Sequence, residues 1–314
     1  NLTLLEQMTG RAAPPADRAA LFTPERAWLS HAYGGPGDEG APHDAGENPA
    51  FGARIFFQIP KTYDGSTPVA LSFTDSSGAL IREFHLHLKD TSETKKSKAA
   101  EDSESTSEQR ADALKHLTAI QPGMNHFQWD LRYADAAEVK GFNAPEDADV
   151  DNNVDGPVVV PGSYRVVLAY GGEKLTAPFE VSLDPRIHVG PDALAQRLAL
   201  QLQIHATLDS LDTALNRAIT VRDSLARAGR DSTALTPLTG AIDSLVQLKI
   251  TSSEGDLVFE PKLRTHLGLL AGQIDMAYAA PNAAEAAVYH VMAQEAQAGE
   301  ANLRAAMAKL GVAQ

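Results

Sequence analysis

The nine residues DPRIHVGPD, at positions 184–192, mark a change in the hydrophobic pattern of this 314-residue chain. Before them, apolar residues come in short alternating runs, which is the period of two typical of β-strands. After them, apolar residues recur at every third or fourth position, which is the period of an amphipathic helix. Pro191 and Asp192 suit the first turn of a helix. The pattern therefore predicts two domains of different class.

Strand-like runs fill the part of the chain that precedes this change. Their lengths and spacing are typical of an antiparallel β-sandwich, which we predict over residues 48–188. The turn sequences DSSG and GG separate two of the strand pairs. The runs are ARIFFQI (53–59), VALSFTD (69–75), ALIREFHLHL (79–88), NHFQWDLRY (125–133), GSYRVVLAY (162–170) and KLTAPFEVSL (174–183).

Three other segments lack strand character. Residues 1–47 are rich in Pro, Gly and Ala without a sustained period, so we predict an extended N-terminal arm. Residues 89–113 and 134–156 are polar insertions in the sandwich, and the second is the more acidic. Because such segments bury little apolar surface, we expect them to become ordered on a partner.

Residues 189–314 carry the helical period, and we predict an antiparallel helical bundle there. The first helix has an apolar stripe from Leu194 to Ile219, and Gly229 ends it. The next three helices are expected to begin near Pro237, Pro261 and Asn282. On the last helix the predicted buried stripe consists of Val288, Val291 or Met292, Leu303, Met307 and Leu310.

The run NHFQWDLRY sets Asp130 and Arg132 next to Trp129. Since side chains alternate along a strand, Trp129 would face the core, while Asp130 and Arg132 would share the outward face. There they can pair with each other or satisfy a neighbouring turn. We therefore interpret both charges as structural rather than catalytic.

The sequence DADVDNNVDG, residues 147–156, is the best candidate for a metal site. Asp147, Asp149, Asp151 and Asp155 have a spacing similar to that of the oxygen ligands in a calcium loop. Asn152 replaces the glycine of the EF-hand pattern, Val158 replaces its bidentate glutamate, and no helices flank the loop. Calcium binding and a solvated acidic loop remain the two alternatives.

A second candidate metal site is the sequence FHLHL. His85 and His87 share one face of a strand, a spacing at which two imidazoles can hold a metal ion. A third ligand, either His116 or His126, would have to come from elsewhere in the sheet. The alternative is that these histidines are ordinary polar residues of that face.

Composition excludes several classes of function. With 41 acidic and 27 basic residues the formal charge is -14, which argues against a nucleic-acid partner. The chain has no cysteine, so disulfides, thiolate nucleophiles and cysteine-ligated zinc are excluded. The sequence contains no Gly-x-Ser-x-Gly elbow and no His-Glu-x-x-His motif, and no nucleophile, base and oxyanion donor can be assembled from it. We predict a protein that is not an enzyme.

Longer stretches carry a resemblance to known families. VALSFTDSSGALIREF, PGMNHFQWDLRY and VVVPGSYRVVLAYGGEKLTAPFEV together resemble a fibronectin-III or flagellar-hook-capping Ig-like module. NPAFGARIFFQI, NHFQWDLRY, VPGSYRVVL and LDPRIHVGPDALAQRLAL resemble the C-terminal region of bacterial sortilin-like BNR-repeat propeller proteins over roughly residues 48–225. The resemblance implies an α+β, multi-domain chain, with a fibronectin-III/Ig-like sandwich followed by a helical bundle. The two polar insertions depart from the family pattern.

The resemblance also implies a function. A detached module of this family would act as a structural, non-enzymatic subunit that docks on a larger protein complex, without a cofactor. The chain is further similar to an extra periplasmic subunit of a bacterial photosynthetic reaction-centre and light-harvesting complex. The start at Asn1 rather than Met predicts a processed product. The resemblance implies that this product is periplasmic or otherwise extracytoplasmic. Two alternatives remain: an accessory, carbohydrate-binding module of a propeller-type hydrolase, and a calcium-stabilised adhesion module.

Overall fold

A computed structural model of the chain describes residues 2–9, 14–30, 51–89, 114, 117–142, 155–250 and 259–312. The protein is a mixed α+β chain with antiparallel sheets. It divides into two compact units. The first, here the sheet unit, comprises Asn1–Asp102, Ala111–Tyr133 and Val159–His188, and the second, the helical unit, comprises Ser103–Arg110, Ala134–Val158 and Val189–Gln314.

The sheet unit contains two sheets and one short helix among its described residues. One sheet has six strands in the order β2-β9-β8-β4-β5-β6 and curls into a half-barrel, and the other has three strands in the order β1-β3-β7. Pairing is antiparallel except between β2 and β9 and between β5 and β6. The elements are α1 (Leu2–Thr9), β1 (Ala20–Leu21), β2 (Ala27–Leu29), β3 (Ala53–Ile59), β4 (Val69–Asp75), β5 (Leu80–Leu88), β6 (Ala119–Ile120), β7 (Gly123–Trp129), β8 (Gly162–Tyr170) and β9 (Glu173–Leu183).

Part of the N-terminal region, for which the sequence predicts only an extended arm, is paired into both sheets. Strand β1 joins β3 in the smaller sheet, and β2 lies parallel to β9 at the edge of the larger one. The side chain of Gln58 on β3 also donates hydrogen bonds to the carbonyl oxygens of Pro15 and Arg18, at 2.8 and 3.0 Å. The N-terminal strands β1 and β2 therefore add one edge strand to each of the two sheets.

The core of the sheet unit forms where the two sheets face each other. Phe73 of β4 stacks on Trp129 of β7, with ring centroids 4.2 Å apart, and Phe84 of β5 meets Phe127 of β7 at 4.8 Å. Trp129 is fully buried. Because a large ring removes much apolar area from water, these contacts between the sheets dominate the stability of the unit.

Over its described residues, the helical unit contains four helices that share one hydrophobic core. Its buried residues come from every helix, and most of them are Leu, Ile, Ala or Met. Asn282 caps the last helix together with Glu285 in a reciprocal capping box. The helices are α2 (Pro191–Arg227), α3 (Ser232–Asp243), α4 (Leu263–Asp275) and α5 (Ala283–Lys309).

The start of the second polar insertion, residues 134–142, packs on α2. Ala136 and Val139 are buried in the helical core. The side chain of Asn216 accepts a hydrogen bond from the backbone N–H of Lys140 at 2.6 Å and donates one to the carbonyl of Glu138 at 2.7 Å. Ala136, Val139 and Asn216 therefore help to fix a segment that composition alone marks as polar.

The buried stripe of α5 differs from the prediction. Val288 is 44% exposed, so the expectation that it belongs to the core is wrong. Of the two alternatives Val291 and Met292, Val291 is 54% exposed, whereas Met292 packs against the helical core. The buried face instead uses small residues, and a Cβ added to Gly299 would lie 2.5 Å from Cδ2 of Leu245. The sequence pattern failed because alanine and glycine are weak apolar signals, while valines mark another face. The buried residues are Ala296, Gly299, Leu303, Ala306 and Met307.

Within the described part of the chain, none of the helices combines the length and the apolar character that crossing a membrane requires.

Candidate interaction surface

Asp130 and Arg132 belong to a tight turn that follows β7. The strand ends at Trp129, and Leu131 adopts a left-handed backbone with φ of 61° while its side chain is fully buried. Trp129 Nε1 donates to the carbonyl of Arg132 at 3.0 Å, and the backbone N–H of Arg132 donates to Asp130 Oδ1 at 3.1 Å. The turn therefore uses Asp130 as a backbone cap.

The cation that faces the Asp130 carboxylate is an arginine of β5. Arg82 lies 3.5 Å from Asp130 Oδ2, and the same guanidinium donates to the carbonyl of Tyr133 at 3.1 Å. Arg82 also lies over the ring of Phe84, 4.8 Å from its centroid. The Asp130 carboxylate and the Arg82 guanidinium thus hold the turn in place, to which Arg132 contributes its backbone N–H and carbonyl. The contacts of Asp130 agree with its structural interpretation.

A cavity of about 360 Å³ lies on the outer face of the smaller sheet. Phe56 and His126 form part of its wall, with ring centroids 5.0 Å apart. Burial, and to a lesser degree the charge of Arg54, lowers the pKa of His126. The amide of Asn125 is occupied by hydrogen bonds to the backbone of Gln121 and Gly123. The cavity is therefore lined by an imidazole of lowered pKa, by an amide that is already satisfied and by the side chain of Lys89.

The histidines of FHLHL lie apart from any third ligand among the described residues. His85 is exposed and lies 3.5 Å from Glu83, while His87 Nδ1 is 3.3 Å from the hydroxyl of Thr118. His126 is on the other sheet, and His116 lies outside the described residues. Across the described ranges there is no group of three or more histidine, cysteine or acidic side chains placed to hold a metal ion.

The candidate calcium loop falls mostly outside the described residues. Asp147, Asp149 and Asp151 are not described, and Asp155 is exposed. Next to it, the backbone N–H of Gly156 donates to Asp135 Oδ1 at 3.2 Å. Calcium binding by this loop therefore stays a prediction from the sequence.

Thermal unfolding separates the two interpretations of this acidic loop. If the loop is only a solvated acidic segment, the melting temperature should be the same in millimolar calcium and in excess chelator. A bound ion would instead raise the stability by mass action, by about 2.7 kcal/mol at a hundredfold excess over Kd. Magnesium at the same ionic strength is the control, because it screens charge without occupying a calcium-sized site.

The helical unit encloses an ion pair between Asp212 of α2 and Arg264 of α4. Both side chains are fully buried, and the guanidinium donates from Nε and Nη2 to Asp212 Oδ2 at 3.2 and 3.1 Å. Burial raises the pKa of Asp212 to about 6, although Arg264 acts in the opposite direction. The pair connects two helices through their interior and does not open to solvent.

The sequence contained a signal for this pair that the stripe analysis did not use. Asp212 follows Leu208 by four residues and precedes Leu215 by three, so it lies on the leucine stripe of α2. A charged residue in such a stripe needs a buried partner. What the sequence cannot indicate is that the partner is Arg264, which is 52 residues away.

A second buried arginine caps the C-terminal end of α4. Arg197 of α2 donates to the carbonyls of Ile274 and Asp275 at 3.2 and 2.9 Å and to Asp275 Oδ1 at 2.9 Å. Its guanidinium also lies over the ring of Tyr278, 5.1 Å from the centroid. A cation at the C-terminal end of a helix satisfies carbonyls that have no partner within the helix. Its role is therefore structural.

The raised pKa of Asp212 predicts how stability depends on pH. Because the folded-state pKa of about 6 lies above the ordinary value of 3.8, the stability that this group contributes is present below pH 3.8 and is lost as the pH rises through about 6. We expect the free energy of unfolding of the wild type to fall relative to Asp212→Asn between pH 4 and pH 7. Urea unfolding at several pH values measures this difference. If the free energy of unfolding changed with pH in the same way for the wild type and for Asp212→Asn, this prediction would be wrong.

Helix α5 carries a second regular stripe, which faces solvent. Its residues recur at alternating steps of four and three, and all of them are exposed. Val288 and Val291, at 44% and 54% exposure, are its largest apolar side chains. We call this stripe the α5 seam. It consists of Ala284, Val288, Val291, Glu295, Ala298, Asn302 and Ala305.

The α5 seam has the spacing of a helix-packing surface. Steps of three and four residues keep side chains on one side of a helix, which is the pattern by which one helix packs against another. The buried stripe of the same helix has this spacing too, and it is covered by the core of the unit. Glu295 is the only charged residue of the seam, and among the described residues its carboxylate has neither a hydrogen bond nor an ion pair. The seam is therefore the best candidate for a functional surface.

Comparison of the chain with known protein families, with curated proteins and with solved structures gives no match.

Proposed function

We propose that the protein is a non-enzymatic subunit that docks on a larger protein complex through the α5 seam. The observation that carries this proposal is the exposure of Val288 and Val291 within a regular helix-packing stripe. Exposed apolar residues that stand singly are ordinary, but apolar residues at helical spacing form a continuous surface that a partner can cover. The seam thus supports binding to protein.

The wider setting of the proposal comes from the resemblance in the sequence. The chain would be an extracytoplasmic, periplasmic module of the sortilin-like C-terminal type, with no cofactor. The complex would be associated with a membrane, and a photosynthetic reaction-centre and light-harvesting complex is the particular assembly we propose. In that role the segment 89–113 and the part of the second insertion that follows residue 142 would lie along neighbouring subunits.

The proposal includes a finer description of the two units. The sheet unit would be a fibronectin-III-like sandwich, which is supported by the contact between Phe73 and Trp129 across the two sheets. The helical unit would be an antiparallel bundle, which is supported by its single shared core. Folded units of this kind suit a structural subunit, because partners that are already ordered lose little entropy on binding.

Fractionation of the native source tests the docking proposal. We expect the wild-type chain to co-sediment with a large membrane complex, and the exposed double variant Val288→Ser, Val291→Ser to dissociate from it. The matched control is Gln297→Ser with Ala301→Ser, since both of these residues are exposed elsewhere on α5. A wild-type chain found free of any complex would overturn the proposal, as would a seam variant that co-sediments as fully as the control.

One observation favours the carbohydrate-binding alternative. Trp28 of β2 is 46% exposed, and the guanidinium of Arg26 lies 5.8 Å from its ring. Exposed tryptophan rings stack on sugars. If this alternative holds, migration in affinity gels that contain polysaccharide should be retarded for the wild type and not for Trp28→Ala. Equal migration of the two proteins would remove the support that Trp28 gives it.

A further inference from the structure

We propose that the cavity on the outer face of the smaller sheet binds a small aromatic monocarboxylate, with its ring against Phe56 and Met124 and its carboxylate at Lys89. The residues that line this cavity all belong to the sheet unit, so the site does not involve the α5 seam. The inference goes beyond docking on a complex and does not depend on it.

The floor of the cavity is the outer face of strands β3 and β7. Phe56 and His126 are register partners on these strands, and Met124 lies two residues from His126, so all three side chains share one face. Leu4 of α1 also lines the cavity. The remaining lining comes from the segment that leads from β6 into β7 and from Lys89, which follows β5.

The walls of the cavity are held by hydrogen bonds within the protein. The side chain of Gln7 on α1 exchanges two hydrogen bonds with the backbone of Thr23, both of 2.9 Å. The Asn125 amide donates to the carbonyls of Gln121 and Gly123 at 2.8 and 3.0 Å and accepts from the N–H of Gln121 at 2.9 Å. Because little has to become ordered on binding, a site of this kind can select a ligand by its shape.

The shape and composition of the floor favour one aromatic ring. The rings of Phe56 and His126 have centroids 5.0 Å apart and planes inclined at 39°. Aromatic rings pack against each other in offset and edge contacts, and a thioether such as that of Met124 makes favourable contacts with aromatic rings. The volume of about 360 Å³ is near the lower end of the range of about 300–1,000 Å³ that ligand pockets have. A molecule with one ring and a short side chain therefore fits better than a long acyl chain.

The polar groups of the cavity favour a single carboxylate. Of the described residues that line it, Lys89 is the only one with a full charge. Over the described part of the chain, the side chains of Lys89, Gln121 and His126 have no hydrogen-bond partner. Because the pKa of His126 is lowered, its imidazole is uncharged above neutral pH and offers one N–H donor. One cation with neutral donors matches a carboxylate better than a phosphate, which carries more charge.

Methyl NMR of the full-length protein, with isotope-labelled methionine methyl groups, tests the site. Met124 lies in the cavity, whereas Met276 and Met307 lie in the helical unit and serve as internal controls. The probe is phenylacetate. Cyclohexylacetate keeps the carboxylate and lacks the aromatic ring, and phenethylammonium keeps the ring and reverses the charge. We expect phenylacetate to shift the Met124 signal saturably, to leave both control signals unmoved, and to bind more tightly than either analogue. The variant Met124→Leu assigns the signal.

Substitution of Lys89 provides the specific control for the charge. Lys89→Met should weaken the binding of phenylacetate about fivefold, as the loss of one exposed ion pair of about 1 kcal/mol requires. Lys89→Glu should make phenethylammonium the tighter ligand. Lys174→Met removes an exposed lysine of β9 that does not line the cavity, so this variant should bind phenylacetate as the wild type does. Both lysines are exposed, so none of these changes disturbs the core.

Each outcome decides the matter. A Met124 signal that no probe moves, or control signals that move as much as it does, overturns the site. Equal binding of phenethylammonium and phenylacetate, or Lys89→Met binding phenylacetate as the wild type does, overturns the assignment of the carboxylate to Lys89. Equal binding of cyclohexylacetate overturns the aromatic ring. None of these results changes whether the seam variant leaves the native complex, so the two proposals fail separately.

Discussion

Gly52→Ala should destabilise the sheet unit by about 3 kcal/mol or more. Gly52 has φ of 111°, in a region that residues with a Cβ rarely adopt, and an added Cβ would lie 2.1 Å from the backbone oxygen of Trp129. That oxygen belongs to the end of β7, where Phe51 also accepts a hydrogen bond from Gln128 at 2.7 Å. Because backbone cannot rotate away as a side chain can, strands β3 and β7 would have to separate locally. Urea unfolding of the purified variant measures the loss.

Gly78→Ala is the matched control for this prediction. Gly78 also has a positive φ, of 92°, but an added Cβ would meet nothing within 4 Å. The Gly78→Ala variant should therefore lose only the stability that backbone strain costs, about 1 kcal/mol. If the two variants lose the same stability, the close approach to Trp129 has no energetic importance and the account of this strand end is wrong.

Arg264→Met should destabilise the helical unit by about 3–5 kcal/mol at pH 7. Arg264 and Asp212 are fully buried, so removing the guanidinium leaves a carboxylate in the core without its cation. Since Arg264 holds the pKa of Asp212 down against the effect of burial, the variant should take up a proton at still higher pH. Its loss of stability relative to the wild type should therefore shrink as the pH is lowered.

Two further variants control this result. Arg222→Met removes the arginine of a partly exposed pair with Asp223 and should cost about 1 kcal/mol, well below the cost of Arg264→Met. Asp212→Asn combined with Arg264→Met removes both charges and should recover part of the loss, because no unpaired ion remains. A double variant that is less stable than Arg264→Met alone would show that the destabilisation does not come from a stranded carboxylate.

Much of the sheet unit could be predicted from local pattern. The mixed α+β class with antiparallel sheets is confirmed, and strands β3, β4, β8 and β9 coincide with runs that alternate or are apolar. The pairing of Ala20–Leu21 and Ala27–Leu29 could not be predicted, because two or three residues carry too little periodicity. Those strands exist because neighbouring strands offer free backbone groups, and that is a tertiary effect.

The candidate surface was harder to predict for a related reason. Val288 and Val291 lie close to the apolar spacing of α5, so the sequence assigned Val288, and either Val291 or Met292, to the core. Its actual core face is built from Ala296 and Gly299, whose small size allows Leu245 to approach closely. A helix can carry two stripes, and the helices that pack against it decide which stripe is buried. The pattern of a single helix does not contain that information.

A photo-crosslinking residue placed at position 291 of the full-length protein, in its native host, tests the docking claim most directly. We predict a crosslink to another protein in the same complex, identified by mass spectrometry. The same residue at position 297, which is also exposed on α5, should not form that crosslink. Identical crosslinks from both positions, or none from position 291, would contradict the claim that the α5 seam is the docking surface.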